Sequence, residues 1–517
     1  MERLYPIGIQ SFEEIRKGGF LYVDKTERVY RMVKSGKYYF LSRPRRFGKS
    51  LLISTLEAYF RGRRELFAGL AMERLEREWT DYPVFHLDLN ARKYNDVPSL
   101  VAILNQHLEI WEGIYGDEKK NRVPEERFAY LIENACRMTG RNVVILVDEY
   151  DKPMLQAIGD EALRTEYQNI LKAFYGVLKS SDRYIRFALL TGVTKFSKVS
   201  VFSDLNNLED ISMARDYESV CGITEEELRS DLRPDIHLLA EAMGIDDAEA
   251  FGRLKAWYDG YHFAASGADV YNPFSLLSTL KRKEFGSYWF ETGTPTFLVE
   301  LLRRSRYDLS RLADERTTSD VLGSVDLMVD DPIPVLYQSG YLTIKGYDAR
   351  FGLYRLGFPN EEVTKGFMSF LLPYYAPIQK SESVFQISRF VEEVEAGDLD
   401  SFMLRLRSFF ADTPYELARD RELHYQNVLF LVFKLMGFYT RVEYHTSRGR
   451  VDLVLMTDRY IYVMEFKLDG TAEEALRQIE EKGYAEPFAR DGRKLLKVGV
   501  NFSSASRNIE RWLVKMG

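Results

Sequence analysis

The sequence predicts an α/β protein in three parts. Residues 1–230 should form a parallel sheet with intervening helices. Residues 231–370 should be mostly helical, with a small helix-and-strand unit. Residues 371–517 should form a helical connector and a mixed α/β domain. Three observations lead to this. Apolar strand-like runs alternate with helix-period stretches over the first 225 residues, the pattern of a parallel sheet. From about Thr224 to Leu302 the periodicity is mostly helical. The last hundred residues mix the two again. A chain of 517 residues allows about three domains at roughly 100–200 residues each.

The elements follow in order. Tyr38–Ser42 is a short apolar run ending before Pro44. Val84–Leu89 alternates and contains Asp88. Val143–Val147 is wholly apolar and β-branched, suited to a sheet centre buried on both faces. Tyr184–Leu190 is a fourth strand. Ser50–Phe60 and Glu161–Leu178 have helical periodicity. Thr224-Glu-Glu-Glu-Leu has the form of a capped helix start. Pro334–Tyr354 reads as a helix with short strands, a winged-helix-like unit. Ser381–Phe410 is helical and amphipathic. A helix at Arg421–Met436, a hairpin at Arg450–Lys467, a helix at Ala472–Tyr484 and a strand at Leu495–Asn501 complete the chain.

Composition excludes several classes. With 45% hydrophobic and 29% charged residues, the chain is not disordered or collagenous. A net charge of −7 argues against a globally basic nucleic-acid coat, though not against a local basic site. Two cysteines cannot build a disulfide framework and suit a reducing compartment. The first residues lack the apolar core of a secretory signal. The longest apolar candidate, Val428–Phe438, is broken by Lys434 and too short to span a bilayer. A soluble, cytoplasmic protein without a membrane partner is expected. The six histidines lack zinc-like spacing.

The sharpest motif is Arg43-Pro-Arg-Arg-Phe-Gly-Lys-Ser50, between a strand and a helix. Its end matches G-x-x-x-x-G-K-[ST], a phosphate-binding loop. Gly48 lets the backbone approach phosphate. Lys49 would reach the β- and γ-phosphates, and the Ser50 hydroxyl would ligate Mg²⁺. Helix N–H groups add to the anion site. Arg43 stands where the first glycine belongs and is expected to narrow or reposition the loop. G-K-S alone is a weak signal. Val143-Val-Ile-Leu-Val-Asp-Glu149 strengthens it, because an apolar strand ending in two acids supplies a Mg²⁺ acid, Asp148, and a water-polarising base, Glu149. The alternative is a strand end with a solvated acidic turn, which Asp151 continues. Of Thr191, Thr194 and Lys195 at the next strand's end, Thr191 and Lys195 are the candidates to sense the γ-phosphate. Arg45, Arg46, Phe47, Gly48, Lys49, Ser50 and Leu51, with Thr191 and Lys195, are the expected ATP contacts. This makes the first domain a P-loop ATPase-like sheet.

These segments resemble the AAA-ATPase-like proteins common in gut and anaerobic bacteria. The resemblance rests on Tyr22-Val-Asp-Lys-Thr26, Phe40–Leu51, Leu146-Val-Asp-Glu-Tyr-Asp-Lys-Pro153 and Thr191-Gly-Val-Thr-Lys195. Phe202-Ser-Asp-Leu-Asn-Asn-Leu208, Cys221-Gly-Ile-Thr-Glu225 and Tyr271-Asn-Pro-Phe274 add to it. It spans roughly residues 5 to 515 and implies that Arg43 belongs to the family's loop pattern. It also implies a C-terminal PD-(D/E)XK nuclease-like domain, with a restriction-endonuclease-like fold. Asp24 and Lys25 are candidates to line the base, and Asn272-Pro273 to touch the nucleotide. For each, a capping or turn role is the simpler reading.

The C-terminal residues carry their own signal. A hairpin turning at Asp458-Arg459 pairs residues whose numbers sum to 917, which sets Asp452 opposite Glu465. Lys467 lies on the same face. Facing acids repel. Mg²⁺ held by Asp452 and Glu465 would relieve this and act as Lewis acid and water activator. Lys467 would stabilise a hydroxide or the scissile phosphate, so Asp452, Glu465 and Lys467 are the expected catalytic group. The spacing alone is common: Glu118-Lys-Lys120 also reads E-x-K. Glu422 on the preceding helix, and Gln478 and Tyr484 on the following one, match further positions of that superfamily. Arg448 and Arg450 are placed to meet phosphates. From 441 to 517 there are 14 basic and 12 acidic residues, so no strong nucleic-acid footprint appears.

The expected function is ATP binding and hydrolysis, with ATP and Mg²⁺ as cofactors, coupled to metal-dependent nucleic-acid cleavage. The alternative is a nucleotide-dependent switch whose nuclease-like domain binds nucleic acid or protein without cleaving. DNA against RNA, and self-association into a homo-oligomer, stay open.

Overall fold

The computed structural model describes residues 3–196, 207–291, 297–323, 331–376, 378–410, 421–444 and 451–517. Two compact units divide the chain: residues 1–293 with 315–362, and residues 294–314 with 363–517. Most of the segment expected as a middle domain, 231–370, therefore belongs to the first unit. No described helix is long and apolar enough to cross a membrane.

The first unit is built on β1 (Tyr38–Ser42), α1 (Lys49–Phe60), β2 (Val84–Asp88), α2 (Val97–Tyr115), α3 (Pro124–Thr139), β3 (Val143–Asp148), α4 (Glu161–Ser180), β4 (Ile185–Gly192) and β5 (Glu209–Asp210). The strands form one sheet in the order β2-β3-β4-β1-β5, parallel throughout. β3 is buried along its whole length, as its run of Val, Ile and Leu requires at a sheet centre. β1 and β3 flank β4, so the turns after all three open at the same carboxyl edge, where parallel sheets bind ligands. β4 starts one residue later than the sequence suggests, because Asp182–Tyr184 forms a 3₁₀ turn, and it runs on to Gly192. A Cβ at Gly192 would lie 2.6 Å from Asp151 Oδ1 and 2.7 Å from the Tyr150 ring, so only glycine lets the β3 and β4 exits approach this closely.

Beyond the sheet come α5 (Glu225–Asp231), α6 (Arg233–Met243), α7 (Asp247–Tyr258) and α8 (Pro273–Arg282). They pack around Leu228, Leu239, Leu254, Tyr258 and Leu276. The Thr224 side chain accepts from Glu227 N, and the Glu227 side chain returns to the Thr224 backbone, the reciprocal cap that the sequence predicts. A helix and hairpin follow, as expected near 334–354: β6 (Glu315–Thr318), α9 (Ile333–Gln338), β7 (Thr343–Asp348) and β8 (Leu353–Gly357). The strands form an antiparallel sheet in the order β6-β8-β7.

The second unit contains α10 (Ser383–Ala396), α11 (Leu399–Ser408), α12 (Arg421–Met436), β9 (Arg441–Tyr444), β10 (Leu453–Met456), β11 (Tyr460–Leu468), α13 (Ala472–Glu481), β12 (Lys494–Ser503) and β13 (Asn508–Met516). The apolar run near 428–438 is a core helix, with Val428, Leu431, Val432 and Met436 fully buried. The strands lie in the order β9-β10-β11-β12-β13. Only β11 and β12 are parallel, and α13 makes the crossover between them. The hairpin has the expected register, Leu453 opposite Met464 and Met456 opposite Ile461. A Cβ at Gly499 on β12 would lie 2.2 Å from the Ala472 carbonyl oxygen, so α13 lies directly on the strand. The edge strand β13 was not anticipated, because its polar and apolar residues do not alternate cleanly.

Candidate functional sites

At the carboxyl edge of the first sheet, the chain turns from β1 through residues 43–48 into α1. Positive φ in this turn falls on Arg46 (67°) and Gly48 (95°). Nothing lies within 4 Å of a Cβ built at Gly48, so the glycine serves the left-handed conformation of the helix N-cap. Lys49 is 4% exposed. Its ammonium donates to the carbonyls of Arg43 (3.0 Å) and Pro44 (3.2 Å) and lies 3.6 Å from Glu149 Oε1. Ser50 and Leu51 occupy the first turn of α1.

The other loop side chains turn to neighbouring segments. The Arg43 guanidinium is buried among backbone carbonyls of Ser42, Ser212, Tyr217 and Glu218. The Arg45 carbonyl accepts from Trp289 Nε1 at 3.0 Å. The Arg46 guanidinium lies 4.8 Å from the Phe274 ring centre. Phe47 is buried against Tyr261 and Phe263.

The ends of β3 and β4 complete the edge. Thr191 is fully buried and its hydroxyl donates to Asp148 Oδ1 at 2.6 Å. Glu149 sits at φ 56°, a left-handed turn of a non-glycine residue, which costs of order 1 kcal/mol or more. Lys195 is not among this group: its ammonium pairs with Asp210 at 2.5 Å. Asp151, read from sequence as solvated, is fully buried. Its Oδ2 accepts from Val193 N (3.0 Å), Thr194 N (2.6 Å) and the Thr194 hydroxyl (2.8 Å). Burial, with the charge of Glu149 second, pushes its pKa up to about 7. Sequence reasoning missed this residue. The available signal was Gly192, the small residue it packs against.

Asp24 and Lys25 have structural partners. Asp24 accepts from Thr26 N and Ala71 N, and Lys25 pairs with Glu227. Asn272 caps α8 by accepting from Phe274 N and Ser275 N.

In the second unit, Asp452 precedes β10, and Glu465 and Lys467 lie on β11. Glu465 is 2% exposed. Lys467 Nζ lies 3.1 Å from Glu465 Oε1 and donates to Gln478 Oε1 at 2.6 Å. Gln478 Nε2 donates to the same Glu465 oxygen. Asp452 Oδ2 accepts from Phe466 N at 2.8 Å. Burial, then the Glu465 charge, pushes Asp452 up to about 6 against the opposing pull of the Phe466 N–H. Burial raises Glu465 too, against Lys467. Glu465 Oε2 is buried without a hydrogen-bond partner. Two neighbouring buried carboxylates with, among the described residues, only Lys467 paired to them, one with an orphaned oxygen, fit a hard divalent cation such as Mg²⁺. Among the described residues no three acidic, histidine or cysteine side chains converge on a metal position, so water or substrate oxygens would complete the shell. Tyr484 packs against the core cluster that contains Val454, Ile461 and Ile479. Arg448, Arg450, His445, the Glu422 side chain and Phe202–Asn206 lie outside the described residues.

Residues 6–202 match the family model described as predicted AAA-ATPase, and residues 420–512 match that of the PD-(D/E)XK nuclease superfamily. A protein named "Uncharacterized protein in vnfD 5'region", from Azotobacter chroococcum mcd 1, is 37% identical over 522 residues, covering 99% of this chain and 98% of its own. The chain thus belongs to the AAA-ATPase-like family, and its C-terminal part to the PD-(D/E)XK nuclease superfamily.

Proposed function

We propose that this protein binds and hydrolyses ATP and couples this to metal-dependent cleavage of nucleic-acid phosphodiesters. The observation that carries the reading is the convergence of Lys49, Asp148, Glu149 and Thr191 at the carboxyl ends of β1, β3 and β4. Lys49, with the first N–H groups of α1, binds the β- and γ-phosphates. Ser50 and Asp148 hold Mg²⁺, and the Thr191 hydroxyl fixes the Asp148 carboxylate. Mg²⁺, when bound, neutralises phosphate charge. Glu149 accepts the proton of the attacking water.

The nuclease half has its own support, the buried Glu465 oxygen without a hydrogen-bond partner and the nearby Asp452, whose pKa the Glu465 charge raises. Asp452 and Glu465 would hold the cation, which would supply Lewis acidity and water activation. Gln478 and Glu465 orient Lys467, whose ammonium meets the scissile phosphate. Cys136 and Cys221 are both free thiols, which suits the cytoplasm.

The test uses the purified full-length chain. ATP hydrolysis and cleavage of labelled DNA and RNA are measured with and without Mg²⁺, and cleavage with and without ATP. Mg²⁺-dependent hydrolysis and cleavage are expected. Hydrolysis without cleavage of any nucleic acid would favour the non-cleaving switch.

A further inference from the structure

A phosphate loop ordinarily opens on a glycine, and Arg43 occupies that place here. Its φ is not positive, so the backbone at this position accepts any L-residue. The side chain neither fills the loop nor points along it. It is 1% exposed and ends in a cage of main-chain oxygens. One terminal nitrogen donates to Ser42 O (2.8 Å) and Ser212 O (2.7 Å). The other donates to Tyr217 O (3.1 Å) and Glu218 O (3.5 Å). The Tyr217 and Glu218 carbonyls end the 3₁₀ turn Arg215–Tyr217, where the backbone dipole favours a cation. The guanidinium carbon lies 4.1 Å from the Phe263 ring centre, a cation–π contact worth more when desolvated.

The rest of the loop is held by further contacts. Pro44 is so close to Gly340 that a Cβ there would lie 2.7 Å from its ring. Trp289 holds the Arg45 carbonyl, Phe274 carries the Arg46 guanidinium, and Tyr261 and Phe263 enclose Phe47. The Lys49 ammonium in turn donates to the carbonyls of Arg43 and Pro44. The position of the phosphate-binding lysine thus depends on where Arg43 sets the base of the loop.

We infer that Arg43 is a positioning residue for the nucleotide. It locks the loop in its phosphate-binding shape by tying its base to Ser212–Glu218 and Phe263, the work that glycine turns do elsewhere. The inference rests on the phosphate-loop reading above. Restoring the consensus glycine should therefore damage ATP binding.

The experiment measures ATP-analogue Kd by calorimetry, and KM and kcat for ATP, on the full-length parent, Arg43→Gly, Arg43→Lys and Phe263→Leu. Arg43→Gly should raise Kd and KM about tenfold or more, with kcat changed far less. Guanidinium ion at low millimolar concentration should recover part of that loss, since it restores the missing group rather than overall stability. Lysine, with one ammonium for four carbonyls, should recover little. Phe263→Leu keeps the carbonyl cage and should raise KM about threefold. If Arg43→Gly does not fold, an unchanged KM in Phe263→Leu overturns the inference. A folded Arg43→Gly with parental affinity also overturns it, leaving the phosphate-loop reading intact. A parent that binds no ATP refutes both.

Discussion

Asp452→Asn should stabilise the second unit in the absence of metal, and only above a definite pH. The side chain is partly buried and its pKa is pushed from 3.8 to about 6. Each pKa unit is worth about 1.4 kcal/mol, so ionising this carboxyl in the fold costs up to about 3 kcal/mol. Partial solvent contact reduces this to about 1–2 kcal/mol. Below about pH 4 the carboxyl is protonated both folded and unfolded, and the amide gains nothing over it. Between about pH 4 and 6 the unfolded chain ionises while the folded one keeps its proton. The parent loses stability across that window and stays lower above it. Asparagine does not titrate and its oxygen can still accept from Phe466 N. The variant should therefore match the parent near pH 4 and exceed it by about 1–2 kcal/mol at pH 7.5. Urea unfolding of the full-length chain in EDTA, read by pulsed hydrogen exchange at the β11 and β12 amides, measures this. Added Mg²⁺ should stabilise the parent and not the variant. A variant less stable than the parent by the same amount at every pH would refute the strained-carboxylate reasoning. Equal Mg²⁺ shifts in both would refute Asp452 as a ligand.

Three further outcomes are expected in the first unit. Lys49→Ala should weaken binding of a non-hydrolysable ATP analogue about tenfold to a hundredfold, the worth of a charged hydrogen bond; calorimetry reads this directly. Glu149→Gln should bind ATP as the parent does but hydrolyse it about a hundredfold more slowly, because an amide does not accept the proton of water; single-turnover kinetics separates the two steps. Asp151→Ala strands Val193 N, Thr194 N and the Thr194 hydroxyl without their acceptor, a loss of about 2–4 kcal/mol. Because burial and the Glu149 charge raise the pKa of the parent's carboxyl, the parent is favoured most at low pH. The deficit should shrink between about pH 4 and 7, as denaturation at a series of pH values would show.

What the sequence disclosed divides by the range of the interactions involved. The parallel sheet was legible because each strand is a local apolar run, and β3 is apolar from Val143 to Val147. The register of the hairpin from 453–464 to 456–461 was legible because a two-residue turn fixes the register of everything beyond it, and the alternation of Val, Leu and Ile leaves one solution. The placement of Asp151 was not legible. Beside Asp148 and Glu149 it looks like the third charge of a solvated turn, and its burial is decided by β4, where Gly192 leaves room for it. The 2.5 Å pairing of Lys195 with Asp210 was hidden for the same reason.

Arg43 shows the limit most clearly. Beyond its neighbour Ser42, its partners are carbonyls 169 to 175 residues downstream, and a side chain bonded to backbone leaves no mark on the identity of the residues it binds. The sequence could show that a glycine was missing, but not what replaced its function. The replacement has a mechanical consequence. Glycine makes a loop by permitting unusual backbone angles, which leaves it free to change shape. Arg43 makes this loop by attaching it to Ser212, Tyr217 and Glu218, and Trp289 and Phe263 attach it further. A loop held in this way cannot shift around a phosphate without straining those attachments. The segments that carry them thereby acquire a mechanical link to the phosphate site that a glycine loop would not give them.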